Sequence, residues 1–403
     1  MVELSLLLVF SLIASSLFYH LGMKILISPN AFKGTLTAGA AGAAAARAVR
    51  RVCRGAAVEV LPIADGGDGL LEALRPALGG KIMRCRVEGP LGETLTARWL
   101  MAGRTAVIEM AEASGLGRLG AARLRPLDAS TRGVGRLMAE AVSKGAREII
   151  VGLGGSASND GGAGCAQAFG FSLLDARGRP IARGVRGLAA LAAIGKGDRL
   201  LFPVKSSLSP LLKVTGLADV TNPLCGKLGS ARVFGPQKGA GPRDVKFMEK
   251  ALLNYARVVK ASLGLDISRL RGGAAAGGLG AGLSAFFGAE LADGAAFVLE
   301  KTGFENKLAR ADLLITGEGC FDRQTFYGKA PGAALAAAAR LGKPALVVCG
   351  VSLIKDPREL RRRGILGVIE TGMLPSPVAA VESAVRSELS ALLEDWRIRG
   401  LED

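Results

Sequence analysis

Short apolar runs rich in β-branched residues recur along this chain, and most of them lead into a glycine-containing loop and then a helical pattern. Examples are "KILIS" (24–28), "AVEVLPI" (57–63) and "EIIVGL" (148–153). This alternation is typical of βαβ units, in which helices cover the faces of a parallel sheet. It therefore predicts an α/β fold built on parallel strands.

One segment departs from this alternation. "TLTARWLM" (94–101) and "TAVIEMA" (105–111) are separated by a short turn that contains Gly103, which predicts an antiparallel hairpin. The βα alternation returns in the last third of the chain, from "ADLLITGEG" (311–319) onward. A hairpin between two stretches of βα alternation predicts a second domain inserted into the first.

The composition fits a globular protein and argues against nucleic-acid binding. Hydrophobic residues make up 49% of the 403 residues, enough for two or three domains with their own cores. The net charge is +17, but aromatic residues are only 5%, so stacking surfaces for bases are scarce. We expect an anionic small substrate. The six cysteines lack metal-binding spacing, which predicts buried thiols in a reducing compartment.

The N-terminal stretch "MVELSLLLVFSLIASSLFYHLG" (1–22) is hydrophobic and contains His20, the one histidine of the chain. It is a poor signal peptide, because Glu3 stands where a basic region belongs. We expect translation to begin at Met23. A membrane anchor and an ordered part of the fold stay open as alternatives. Without this extension no histidine is available, so acid–base chemistry must fall to Asp, Glu or Lys.

Two polar loops follow the first two predicted strands, where open α/β sheets bind ligands. "SPNAFKGTL" (28–36) carries Asn30 and Lys33, and a lysine there suits a phosphate or an acid. "ADGGDG" (64–69) carries Asp65 and Asp68, which could hold Mg²⁺ through water or orient a substrate hydroxyl. An exposed lysine and a capped Asp-Gly turn are the structural alternatives.

The loop "VGLGGSASNDGGAG" (151–164) offers serine, asparagine and aspartate side chains among glycines that permit backbone amides to converge on an anion. Asp160 could be a base or a metal ligand. The loop lacks the GK[ST] ending of a Walker A motif. Its first half resembles the GLGSSA loop of the GHMP small-molecule kinases, but the Asn-Asp-Gly-Gly tail is foreign to that loop.

Further polar loops come later in the chain. "ITGEGCFDRQTFYGKAPG" (315–332) brings together acid, amide, hydroxyl and lysine groups at Glu318, Asp322, Gln324, Thr325 and Lys329. "ADVTNPLCG" (218–226) and "FGPQKGAG" (234–241) add Asp219, Asn222, Gln237 and Lys238 and by themselves indicate ordered loops. Acids, lysines and glycines without histidine favour phosphoryl transfer, which depends on positioning and charge neutralisation.

Seven motifs in this order resemble the bacterial type 1 glycerate kinase family. They are "SPNAFKGTL", "LPIADGGDG", "GLGGSASNDGGAG", "DVTNPL", "FGPQKGA", "AAGGLGAGL" and "ITGEGCFDRQTFYGKAP". The resemblance runs from Lys24 to about residue 390. It implies a flavodoxin-like (Rossmann-like) parallel-sheet domain made of residues 23–80 and 285–403, with a second α/β domain, residues 81–284, inserted into it and the site in the cleft between domains.

The resemblance also implies ATP-dependent phosphorylation of D-glycerate to 2-phosphoglycerate with Mg²⁺. We expect a cytoplasmic enzyme without nucleic-acid partners, and without stable membrane association unless residues 1–22 belong to the native protein. Lys33 would neutralise charge, and Asp65 and Asp68 would contact Mg²⁺ or the glycerate hydroxyls. Asp160, Glu318 and Asp322 are rival candidates for the base. The remaining candidates for binding substrate or phosphate are Asn30, Gly154, Gly155, Ser156, Asn159, Asp219, Asn222, Gln324, Thr325 and Lys329.

Three alternatives stay open. The product could be 3-phosphoglycerate, or the substrate could be another small hydroxy acid. From a different class, the chain could be a non-catalytic sensor of hydroxy acids. The oligomeric state, including a homo-oligomer, is also left open.

Overall fold

The computed structural model describes residues 22–196, 212–372 and 376–399. Residues 1–21, with His20, lie outside the described residues, and so do the expectations about the leader. The chain divides into two compact units, which we call the first unit (Met1–Ala64 with Val298–Asp403) and the second unit (Asp65–Phe297). The predicted α/β class with parallel sheets is confirmed.

The strands of the described residues are β1 (Lys24–Pro29), β2 (Ala57–Val60), β3 (Lys81–Glu88), β4 (Thr94–Ala102), β5 (Thr105–Glu109), β6 (Glu148–Gly152), β7 (Phe171–Asp175), β8 (Leu191–Lys196), β9 (Lys213–Ala218), β10 (Glu290–Asp293), β11 (Leu313–Phe321), β12 (Ala345–Ser352) and β13 (Ile365–Glu370). The helices are α1 (Ala38–Val52), α2 (Leu70–Leu78), α3 (Ala111–Ser114), α4 (Arg132–Ser143), α5 (Ala163–Phe169), α6 (Gly184–Ala190), α7 (Ser230–Phe234), α8 (Pro242–Leu263), α9 (Leu279–Phe287), α10 (Gly294–Lys301), α11 (Phe304–Ala309), α12 (Ala330–Arg340), α13 (Pro357–Arg361) and α14 (Pro377–Arg399).

The first unit contains a parallel sheet with the strand order β13-β12-β11-β1-β2. Helix α1 begins where the Thr37 side chain accepts a hydrogen bond from the Ala40 amide at 3.2 Å, so Thr37 is its N-cap. Its alanine-rich face is buried, and α14 packs against it. Arg47 on α1 bonds Glu382 on α14 at 2.5 Å. Small side chains on α1 thus allow close helix and sheet packing.

The second unit contains a six-stranded mixed sheet with the order β10-β9-β6-β5-β4-β3. Strands β4 and β5 are antiparallel, with Leu100 opposite Val107, which confirms the predicted hairpin. Strand β3 extends this antiparallel edge and was not expected from the sequence, because its basic residues interrupt the apolar alternation. Trp99 on β4 is fully buried in the core between sheet and helices.

The division between the units falls at Ala64/Asp65 and Phe297/Val298. Segments 65–80 and 285–297, which we expected in the flavodoxin-like domain, therefore lie in the second unit. The reason for the first shift is that α2 packs on β4 and β5. The apolar side chains of α2 are buried there, so this helix shares the core of the second unit.

Two findings concern composition. Within the described ranges, no helix is both long and apolar enough to span a membrane. The expectation of buried thiols holds for Cys53, Cys165, Cys225 and Cys349, but Cys85 is half-buried and Cys320 is exposed. All six thiols are free.

Candidate active site

In the first unit, the loop that follows β1 lies beside the last residues of β11, because the two strands are parallel neighbours with Pro29 opposite Gly317. The Asn30 amide donates to the Gly317 carbonyl oxygen at 2.8 Å. A Cβ atom on Gly319 would lie 3.5 Å from the Lys33 amide nitrogen. The sheet thus brings Asn30, which is buried, and Lys33, which is exposed, next to the end of β11, which carries Glu318.

Glu318 is the buried acid of this region, with 6% of its surface exposed. Its Oε1 accepts a hydrogen bond from Thr325 Oγ1 at 2.6 Å, and Lys329 Nζ lies 3.4 Å from Oε2. Burial raises the pKa of Glu318, while the Thr325 hydroxyl and the Lys329 ammonium act in the opposite direction. The arrangement holds a carboxyl group with a raised pKa between a hydroxyl and a cation.

The turn that carries Thr325 is fixed by Asp322. The Asp322 carboxylate accepts from the Thr325 amide at 3.2 Å, and Thr325 Oγ1 accepts from the Asp322 amide at 3.2 Å, which caps the 3₁₀ turn Arg323–Phe326. Lys329 Nζ lies 3.6 Å from Asp322 Oδ1. Four of the five predicted residues of this loop are thus in one network, while Gln324 is exposed on the turn.

In the second unit, the loops 64–69 and 153–162 are in direct backbone contact. The Gly154 amide donates to the Gly66 carbonyl at 3.1 Å, and a Cβ atom on Gly154 would lie 2.3 Å from the Gly67 Cα. A Cβ atom on Gly155 would lie 3.2 Å from Asp68 Oδ1. Asp65 is buried and accepts from the Gly67 amide at 3.3 Å, whereas Asp68 is exposed. Asp65, Asp68, Gly154 and Gly155 are therefore neighbours.

The loop after β9 meets the same region. Strand β9 is the parallel neighbour of β6, and a Cβ atom on Gly66 would lie 2.7 Å from the Leu217 carbonyl oxygen. Asp219 is exposed at this end of β9. Asn222 donates from Nδ2 to the Leu228 carbonyl at 2.9 Å, so its amide group stabilises its own loop.

Glycines in the loop 153–162 and in the segment packed on it allow the two backbones to lie close together. A Cβ atom on Gly277 would lie 1.8 Å from the Ser158 carbonyl oxygen, and the Gly161 amide donates to the Gly277 carbonyl at 3.1 Å. The amides of five loop residues donate to protein acceptors: Leu153, Gly154, Ala157, Gly161 and Gly162. Those five amides are engaged within the second unit and are not available to an anion, while the expected contact of Gly155, Ser156 and Asn159 with phosphate stays a prediction.

Asp160 is fully enclosed and acts as a hub of hydrogen bonds. It accepts from Ser130 Oγ at 3.0 Å, from the Thr131 amide at 2.8 Å and from Thr131 Oγ1 at 3.0 Å. The amides of Gly162 and Gly164 complete the set at 3.2 Å each. Burial raises the pKa of Asp160, and the bonds from Thr131, Ser130 and Gly164 oppose this. The carboxylate thereby ties the starts of α4 and α5 to the loop.

Lys238 lies against the same loop, at the end of the 3₁₀ turn Pro236–Lys238. It is 2% exposed, and its Nζ donates to Ser156 Oγ at 2.7 Å and to the Ser158 carbonyl at 2.6 Å. Burial lowers the pKa of Lys238 to about 7, and the charge of Asp160 acts in the opposite direction. From the sequence Lys238 was placed in an ordered loop without a role, because burial of a lysine leaves no local sequence signal.

Glu109 is a further acid that the sequence reasoning missed. It ends β5, is buried, and accepts from the Leu71 amide in the first turn of α2 at 2.8 Å. Burial raises the pKa of Glu109 to about 7; the Leu71 amide opposes this, and the charges of Glu112 and Asp68 add to it. An acid at the carboxyl end of the apolar run "AVIE" was the signal available for it.

The described residues contain no group of three or more His, Cys, Asp or Glu side chains that could hold a metal ion. Asp65 and Asp68 supply carboxylate oxygens, the donors that Mg²⁺ prefers when water and phosphate oxygens complete its shell. The donor chemistry of this pair therefore fits Mg²⁺.

Glu318 near the carboxyl end of a parallel strand, with Lys33 on the neighbouring loop, suits a small-molecule kinase, a phosphotransferase with an alcohol group as acceptor. The model of the glycerate kinase family matches residues 25–396. The chain belongs to this family.

Curated relatives agree with this. The chain is 42% identical over 330 residues to a glycerate kinase of Halalkalibacterium halodurans, covering 81% of this chain and 85% of the relative. It is 40% identical over 348 residues to the glycerate 2-kinase of Escherichia coli, covering 85% and 89%. A crystal structure from Salmonella typhimurium LT2, provisionally assigned as glycerate kinase 2, matches with a TM-score of 0.78 and 39% identity, covering 93% of this chain and 99% of that one.

Proposed function

We propose that this protein phosphorylates D-glycerate with ATP and Mg²⁺ and that the product is 2-phosphoglycerate. The observation that carries the proposal is the buried Glu318 carboxyl group, bonded to Thr325 and beside Lys329, at the carboxyl end of a parallel strand. The 40% identity to a relative named glycerate 2-kinase supports the choice of product.

In this reaction a glycerate hydroxyl oxygen bonds to the γ-phosphorus of ATP, the bond from that phosphorus to the ADP oxygen breaks, and the hydroxyl proton passes to a base. We propose Glu318 as that base. A raised pKa brings a carboxylate closer to the value at which proton transfer is efficient near neutral pH. Asp160 is the weaker candidate, because it accepts bonds from four residues, Ser130, Thr131, Gly162 and Gly164, whereas Glu318 accepts from Thr325 and Lys329 alone within the described ranges.

The other groups act by charge and position. Lys33 is exposed beside Gly319, so its ammonium can neutralise charge on an anionic substrate group. Lys329 lies between Glu318 and Asp322, where its charge favours the ionised form of the base. Asp65 and Asp68 would hold Mg²⁺, which supplies charge neutralisation on phosphate oxygens when bound. This division of work is what phosphoryl transfer requires.

A coupled assay tests the function and the product together. The protein is incubated with ATP, Mg²⁺ and D-glycerate, and the product is passed to enolase in the absence of phosphoglycerate mutase. We expect a signal, which requires 2-phosphoglycerate. A signal that depends on added phosphoglycerate mutase would mean that the product is 3-phosphoglycerate. Turnover of other hydroxy acids without turnover of D-glycerate would mean that the substrate is not D-glycerate. No ATP turnover with any hydroxy acid would favour a sensor.

Lys33→Ala tests whether the Lys33 ammonium contributes to catalysis. We expect kcat/KM to fall by at least ~10²-fold if the ammonium acts on the transition state. Lys81→Ala, at an exposed lysine on β3, is the matched control and should leave kcat/KM unchanged. A Lys33 variant with the kinetics of that control would remove Lys33 from the site.

A further inference from the structure

Lys238 is buried against uncharged partners. It is 2% exposed, and its two hydrogen-bond acceptors are the Ser156 hydroxyl and the Ser158 carbonyl. Lysine is seldom so deeply buried unless it is paired with an acid. Asp160 acts on the ammonium by its charge, but the Asp160 oxygens are bonded to Ser130 and Thr131. Burying the Lys238 ammonium at this position therefore costs solvation free energy, and no salt bridge among the described residues offsets that cost.

The Lys238 ammonium also affects how the Ser156 hydroxyl forms hydrogen bonds. A serine hydroxyl has one hydrogen to donate and two acceptor positions, and the Lys238 ammonium occupies an acceptor position. The hydroxyl hydrogen therefore points to another partner, and the adjacent positive charge makes it a stronger donor. Ser156 follows Gly155, which lies against the Asp68 carboxylate, so this donor belongs to the neighbourhood of the two loop aspartates.

Two residues that follow Ser156 closely in the chain, Ser158 and Asn159, carry polar atoms without partners among the described residues. In the described part of the chain, Ser158 Oγ and Asn159 Oδ1 are buried and have no hydrogen-bond partner. A buried polar atom left unpaired costs on the order of 1–3 kcal/mol. Ser158 and Asn159 thus add these two unpaired polar atoms to the stretch that begins at Ser156.

We propose that Lys238 is a positioning residue that acts through Ser156: it holds the stretch Ser156–Ser158 and directs the Ser156 O–H toward an anionic oxygen of a bound substrate. That oxygen belongs either to the carboxylate of the hydroxy acid or to a phosphate of the nucleotide. The inference rests on the proposed function, because it assigns the buried cation to the binding of a substrate of that reaction beside Asp68.

The test uses the whole chain, five single variants and one double variant. Lys238→Met removes the charge, Lys238→Gln keeps a donor for the Ser158 carbonyl if the methionine variant does not fold, and Ser156→Ala removes the hydroxyl. Ser156→Thr keeps it. Lys246→Met, at an exposed lysine on α8, is the matched control. KM and kcat are measured for D-glycerate and for ATP separately.

We expect Lys238→Met and Ser156→Ala to raise KM for one substrate by about 10-fold, the effect of losing one hydrogen bond to a charged group. Lys246→Met should stay close to the parent protein, and Ser156→Thr, which keeps the hydroxyl, should raise KM less than Ser156→Ala. The double variant Lys238→Met/Ser156→Ala should lose no more than the more affected single variant. A rise in KM for D-glycerate assigns the carboxylate, and a rise for ATP assigns a phosphate.

Three results would overturn the proposal: unchanged KM values in a folded Lys238 variant, fully multiplicative losses in the double variant, or a loss of kcat alone that tracks the folded fraction. If the parent protein phosphorylates no hydroxy acid, the proposed function fails independently. The positioning role is then judged by binding, since D-glycerate or inorganic phosphate should raise the melting temperature of the parent protein and not of Lys238→Met. Equal shifts in both proteins would reject it.

Discussion

Thr325 donates its hydroxyl hydrogen to the Glu318 carboxylate at 2.6 Å, and its hydroxyl oxygen, Oγ1, accepts a hydrogen bond from the Asp322 amide at 3.2 Å. One side chain thus links the end of a buried strand to the turn that follows it. The bond favours the ionised form of Glu318 and so opposes the effect of burial on its pKa. The properties of the proposed base depend on this hydroxyl.

Thr325→Val should therefore raise the pKa of Glu318 further. If Glu318 is the base, activity is lost as pH falls through that pKa, so the acidic limb of the kcat/KM profile should move to higher pH by about one unit, the scale of one charged hydrogen bond. Thr325→Ser keeps the hydroxyl and should retain the parent profile. An acidic limb that stays in place in a folded Thr325→Val protein would speak against Glu318 as the base.

Gly154→Ala should destabilise the second unit. The added Cβ atom would lie 2.3 Å from the Gly67 Cα, a contact that forces the two loops apart. We expect a loss of about 1–3 kcal/mol in the free energy of unfolding, measured by urea titration, together with reduced activity. Gly120→Ala is the control, because nothing lies within 4 Å of its Cβ position and its φ is −69°. Equal stability of the two variants would contradict the close contact.

Asp160→Asn distinguishes an anchor from a base. An asparagine presents an NH₂ group to donors at Ser130, Thr131 or Gly164, so we expect the free energy of unfolding to fall by about 2–4 kcal/mol. In the folded fraction, kcat should fall less than in Glu318→Gln. A variant with the parent's stability and a loss of kcat of ~10²-fold or more would restore Asp160 as the base.

Glu109→Gln should change how stability depends on pH. The folded-state pKa of Glu109, about 7, lies above its ordinary value of 4.5. The folded protein therefore holds this proton more tightly, and the stability that results is complete below pH 4.5 and lost as pH rises through 7. Compared with Glu109→Gln, the parent should lose up to about 3 kcal/mol more between pH 5 and pH 8.

Urea titrations at several pH values measure this difference. Glu300→Gln, at an exposed glutamate on α10, is the control and should run parallel to the parent protein. Parallel curves for Glu109→Gln and the parent would show that Glu109 has the same proton affinity in the folded and unfolded states.

The architecture was largely readable from local patterns. Apolar runs rich in β-branched residues located β1, β2, β6 and β11. Strand β3 was missed because its alternation is broken by arginine and lysine at an exposed edge. The position of the unit boundary could not be read either, because the core that a helix such as α2 joins depends on strands distant in the chain.

The site residues divide in the same way. The loop positions of Lys33, Asp65, Glu318 and Lys329 followed from motifs, and their assignment to catalysis and binding stays a prediction. Burial and hydrogen bonding could not be read. Asp160 bonds Ser130 and Thr131 across about 30 residues, and Lys238 reaches Ser156 across 82.

By itself, the sequence determined the α/β class, the family and the loops that carry polar groups, because strand periodicity, glycine spacing and motif order are local properties of the chain. Only the tertiary structure decided which of those polar groups are enclosed, which are paired, and which backbone amides the protein already uses. Those properties depend on desolvation and on contacts between segments far apart in the chain. They place Lys238, which the sequence left without a role, in a buried position against Ser156, and they surround the candidate base Asp160 with hydrogen-bond donors.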